Sequence, residues 1–119
     1  MITKFTYFLT ESLFQISTPD IVEMGFIIEK ALEKDSDIEY HHMNEDWIIL
    51  ELEDNRWVEY DIFNKIKNES DNFEEYIKKS YLTQKCFEDN VKEINDNSIF
   101  AQHVSQHIPG IVKIYYGPN

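Results

Sequence analysis

Three neighbouring segments of this chain alternate with period two, and that repetition constrains the fold more than any other feature. In residues 47–53, Ile48, Leu50 and Leu52 fall on one side of an extended backbone. In residues 57–63, Val58, Tyr60 and Ile62 face one way, and Trp57, Glu59, Asp61 and Phe63 the other. In residues 37–43, Ile38, Tyr40 and His42 alternate with Asp37, Glu39 and His41. Side chains alternate across a strand, so the three segments predict an antiparallel meander.

The remaining chain supplies helices and two outer strands. Residues 3–9 are rich in β-formers and predict a first strand; residues 111–116 predict a last one. Ser17, Thr18, Pro19 and Asp20 form a helix start, with a hydroxyl at the N-cap, proline in the first turn and an acid at the positive dipole end. Ile21, Met24, Ile28, Ala31 and Leu32 then follow helical spacing, giving a helix over 18–34 with Gly25 inside it, where something packs close. Phe73, Ile77, Tyr81, Phe87 and Val91 extend a helical region over 71–95, as one helix or as two broken near Thr83. A short helix is expected over 98–107. Strands and helices in blocks argue an α+β fold, an antiparallel sheet packed on helices. With no linker or repeat, residues 1–119 read as one domain.

The register of the central hairpin follows from keeping its apolar faces together, which requires an odd-numbered loop. A loop Asp54-Asn55-Arg56 pairs Leu50 with Tyr60 and sets Glu51 opposite Glu59. Like charges directly opposite destabilise a sheet, and a broken local rule points to a functional surface.

Charge supports that surface. The formal net charge is −12. Residues 36–64 hold nine acids against Arg56, the only arginine, whereas residues 65–119 hold eight acids against seven lysines. Direct nucleic-acid binding and anionic membranes are disfavoured, because both need clustered Lys and Arg. A basic protein would be attracted. Glu39, Glu51, Glu53, Glu59 and Asp61, with Trp47 and Trp57 as aromatic anchors, are the expected partner-binding residues; the alternatives are a solvated face with packed tryptophans.

No stretch carries a catalytic signature. His103 and His107 share a helical face but lack the HExxH acid and a third ligand, so no metal is expected there. The acidic face has no lysine two residues beyond an acid on the strand, and three glycines make no phosphate loop. Cys86 lies in the helical pattern as a small core residue and excludes an intramolecular disulfide. No apolar run approaches the roughly 20 residues of a membrane span, and the N-terminal residues lack a signal-peptide pattern. A cytoplasmic location is expected. The lysine-, isoleucine- and asparagine-rich usage is that of an AT-rich gene, as in a low-GC bacterium, a phage or a horizontally acquired locus.

The expected function is non-enzymatic: an acidic binding protein, without cofactor, that inhibits or neutralises a basic partner such as a bacterial nuclease toxin. Immunity proteins of bacterial competition systems and phage inhibitors of nucleic-acid enzymes are similar in general build, though no motif ties the chain to one family. The alternatives are a small metal-dependent hydrolase using the acidic sheet face, or a structural subunit with a solvated acidic surface.

Overall fold

The computed structural model describes residues 18–35, 47–80 and 83–117. Within them the fold is α+β. Strands β1 (Trp47–Leu52), β2 (Trp57–Asp61), β3 (Ile66–Ser70), β4 (Lys92–Glu93) and β5 (Ile111–Gly117) form one antiparallel sheet. The sheet order is β3-β2-β1-β5-β4. Four helices accompany it: α1 (Ile21–Lys34), α2 (Phe73–Lys79), α3 (Gln84–Asn90) and α4 (Ile99–His107). The strands expected at 3–9 and 37–43 lie outside the described residues. No helix among the described residues is long and apolar enough to cross a membrane.

Each helix begins on a side chain that accepts a hydrogen bond from an otherwise unpaired amide. Asp20 caps α1, Asn72 caps α2, Thr83 caps α3 and Ser98 caps α4. The cap of α1 is thus Asp20 and not a hydroxyl; Thr18 instead donates to Glu69 Oε2 at 2.6 Å. The region 71–95 is two helices, with Thr83 at the start of the second, followed by the short β4.

The hairpin register differs from the sequence expectation by two residues. Leu50 pairs with Val58, Ile48 with Tyr60, and Glu51 with Trp57. The loop is again three residues long, but it is Glu53-Asp54-Asn55. Asn55 takes the left-handed position at φ 73°, which asparagine tolerates and which closes this turn type. The Asn55 amide donates to the Leu52 carbonyl at 3.0 Å, and the Arg56 guanidinium donates to Asp54 at 2.8 Å. Face parity therefore holds while the pairs change. Glu59 lies opposite Ile49 and Asn68, and Glu51 opposite Trp57 and Lys113, so the expected Glu51–Glu59 repulsion does not exist.

The sheet has two covered faces. On one, Ile48, Leu50, Val58 and Ile114 pack on Met24 and Ile28 of α1 and on Phe100 and Val104 of α4. On the other, Ile49 and Trp57 pack on Tyr76 of α2 and Phe87 of α3. Cys86 is exposed on α3 and is not a core residue.

Candidate functional site

The acid-bearing strand face expected to dock a partner is largely an interior face. Trp57 is buried among four rings, stacked between Tyr76 and Tyr115 at 5.7 Å each, with Phe73 at 4.8 Å and Phe87 at 5.7 Å. Glu59 is only 7% exposed and accepts a hydrogen bond from the Tyr76 hydroxyl at 2.9 Å. Burial pushes the Glu59 carboxyl above the usual range, the Tyr76 bond opposes that rise, and nearby Asp61 adds to it. The same surroundings push the Tyr76 phenol up, burial first and the Glu59 charge second.

The other expected site residues are dispersed. Glu51 accepts from the Tyr115 hydroxyl at 2.9 Å. Burial would raise Asp61, but hydrogen bonds from Asn64, the Trp47 indole and the Phe63 amide outweigh it and hold the carboxyl low. Trp47 is half-buried and packs against the Trp57 cluster. Glu53 is exposed in the β1–β2 turn. Glu39 lies outside the described residues. These carboxylates do not converge on one point, and no group of three or more His, Cys, Asp or Glu among the described residues is placed to hold a metal ion.

Other charges of the meander are tied up locally. Arg56 bridges Asp54 and Glu69 at 2.8 and 3.0 Å, and Lys67 adds a contact to Glu69 at 3.0 Å. Burial opposes ionisation of Glu69, yet hydrogen bonds from Thr18 and Lys67 hold its carboxyl below the usual range. Lys67 also donates to the Pro19 carbonyl at 2.7 Å, so this network fastens the start of α1 to β3.

His103 and His107 sit where α4 meets α1. Their rings are 4.3 Å apart, and His107 Nδ1 donates to the His103 carbonyl at 2.8 Å. Lys34 Nζ lies 3.1 Å from His103 Nδ1, which fixes that nitrogen as the acceptor. Burial, then Lys34, His107 and Lys30, hold the His103 imidazole below its ordinary range. The pair is thus engaged in joining two helices.

The outer side of α1 is an open surface with exposed apolar side chains, while Phe63, Ile66, Ile99 and Val112 are exposed elsewhere. Val22, Phe26, Glu29 and Glu33 recur at three- and four-residue intervals and share one face. Val22 is 63% exposed and Phe26 68%, and the two carboxylates lie in solvent beside them, Glu29 in an exposed pair with Lys65 at 3.1 Å and Glu33 in a looser one with Lys30 at 3.7 Å. Clefts run along both sides of the Phe26 ring. One, of 470 Å³, leads to His103 and His107; the other, of 290 Å³, leads to Gly25 and Tyr60. Sequence reasoning traced the buried stripe of α1 through Met24, Ile28 and Ala31 but passed over Val22 and Phe26. The signal was available: both are large and apolar, and both fall off that stripe. The chain matches no protein-family model, no curated protein and no solved structure.

Proposed function

We propose that this chain is a non-enzymatic binding protein of the cytoplasm that neutralises a basic partner, taken to be a bacterial nuclease toxin, and that it docks through the outer face of α1. The observation that carries the reading is the stripe Val22-Phe26-Glu29-Glu33: exposed apolar anchors continuing into carboxylates on a chain of net charge −12. A large apolar side chain held in water next to acids suits a partner with a hydrophobic depression inside a cationic rim. Glu59 and Glu51 of the sheet face serve this function through the long-range field, because Glu59 is buried and Glu51 is engaged by Tyr115.

A panel of purified basic nucleases, each assayed with and without one equivalent of the protein, tests the reading. At least one should lose activity, with an association rate that falls as salt rises. Reversing Glu29 and Glu33 to Lys should slow that association more than reversing Glu74 and Glu88 to Lys. Equal slowing by both pairs would make bulk charge the driver and remove the role given to α1. Failure to bind any cationic nuclease at low salt would refute the reading.

A further inference from the structure

The smaller cleft beside Phe26 contains a hydroxyl whose burial the fold itself does not explain. Tyr60 rises from β2 into the α1 side of the core and is 2% exposed. Its oxygen lies so near the helix that a Cβ added at Gly25 would meet it at 2.8 Å. Its phenol is pushed up by burial, while Lys65 opposes that and Glu29 adds to it. Among the described residues this hydroxyl makes no hydrogen bond, although the charges of Lys65 and Glu29 act on it. A buried polar group without a partner is rare in a folded protein and calls for one.

The walls of the cleft indicate what that partner is. Ile21, Val22, Gly25 and Phe26 line it with apolar surface. Among the described residues, the charges lining it are Glu29 and Lys65, which hold each other at 3.1 Å. A ligand therefore finds apolar walls, a rim already neutralised and one donor at the floor. A charged side chain gains nothing there, whereas an apolar side chain accompanied by a carbonyl oxygen satisfies every group.

We propose that this cleft is the anchor pocket of the docking face: it takes one large uncharged side chain of the partner, and a main-chain carbonyl of the same segment accepts the Tyr60 hydroxyl. The inference rests on the reading of α1 as a docking face and adds the chemistry of the residue that α1 receives. Gly25 then has a purpose beyond packing, since any larger residue would close the cleft onto the hydroxyl.

Titration of the full-length ¹⁵N-labelled protein with N-acetyl-leucine N′-methylamide and its phenylalanine analogue tests this without a basic partner. Saturable shifts are expected at the amides of Val22, Gly25, Phe26 and Lys65. The arginine analogue should bind more weakly. Tyr60→Phe, which keeps the ring in the core, should weaken the leucine probe about five- to tenfold, the contribution of one neutral hydrogen bond, without lowering the melting temperature. Val22→Asp, at an exposed position that cannot disturb the core, should abolish probe binding. Unchanged affinity in Tyr60→Phe, preference for the arginine analogue or shifts confined to other residues would overturn the proposal. So would absence of saturation, which would leave the hydroxyl to water, or shifts that grow with protein concentration alone, which would give the cleft to a second copy. Loss of the nuclease effect with probe binding intact would refute the basic partner and spare the cleft; the reverse would refute the cleft alone.

Discussion

Where α1 and α4 cover the sheet, Ile48, Leu50, Val58 and Ile114 meet Met24, Ile28, Phe100 and Val104, a joint of mostly aliphatic surface around the rings of Phe100 and Tyr60. Where α2 and α3 cover it, four rings gather about Trp57 and the carboxyl of Glu59 is folded in with them. The first face is held chiefly by area removed from water, with the His103 imidazole and the buried Asp35 carboxylate, which accepts from the Phe100 amide at 2.9 Å, at its margins. The second holds an acid in apolar surroundings, where ionisation is opposed by burial. The difference shows that an acidic residue in a strand is not evidence of an open surface. A tyrosine hydroxyl on a covering helix is enough to bring it inside.

The largest effect that separates the faces is truncation of their central rings. Phe100→Ala should cost about 3–5 kcal/mol and lower the global melting transition, because the ring is fully buried between α1, α4 and the sheet. Trp57→Ala should cost a similar amount, but its signature in amide exchange should be concentrated in α2 and α3, which pack on this cluster. Uniform loss of protection in both variants would mean that the two faces form one cooperative unit.

The next effect is one of sign. Glu59 has a raised folded value, so its contribution is present at acid pH and lost as pH rises through that value. Glu59→Gln keeps an acceptor for Tyr76 and should be more stable than the parent at pH 8, with the gap closing near pH 4. His103 has a lowered folded value. Its neutral form supports the α1–α4 joint above its ordinary value of 6.5, and that support is lost as pH falls below it. His103→Gln should flatten this acid loss. Denaturant melts of the two variants from pH 4 to 8 would fail the account if the two slopes had the same sign.

How legible this was in the sequence differs by element. The alternation in 47–53 and 57–63 fixed which residues share a face, and the helical spacing around Met24 and Ile28 located α1. Strand β3 escaped because Ile66-Lys67-Asn68-Glu69-Ser70 is mostly polar and owes its extension to pairing with β2. The register escaped because one residue, Asn55, decides where the turn closes. The burial of Trp57 and Glu59 escaped because alternation separates two faces without saying what lies over each. The apolar positions of residues 73–91 were the missing half of that argument: Phe73, Tyr76, Phe87 and Val91 needed a surface to cover.

The smallest effect concerns the contact between Gly25 and Tyr60. Glycine inside a helix costs about 1 kcal/mol relative to alanine. Gly25→Ala should fail to recover that in the parent, because the new methyl meets the Tyr60 oxygen at 2.8 Å. In a Tyr60→Phe background the nearest remaining ring atom stands at 3.8 Å, so the same substitution should stabilise by up to about 1 kcal/mol. Additive effects in this double-mutant cycle would mean that the ring moves aside at no cost and that Gly25 is not needed for the contact.

Glu59 of the sheet face is inside the protein while Glu23, Glu29 and Glu33 of α1 are outside, and the assignment of the open surface depends on that difference. Carbodiimide labelling of carboxyl groups in the native protein, read residue by residue by mass spectrometry, measures this directly. Glu23, Glu29 and Glu33 should label rapidly and Glu59 should stay protected until the protein unfolds, with Glu51 between them. Labelling of Glu59 at the rate of Glu33 in the folded protein would contradict the account and return the sheet face to solvent.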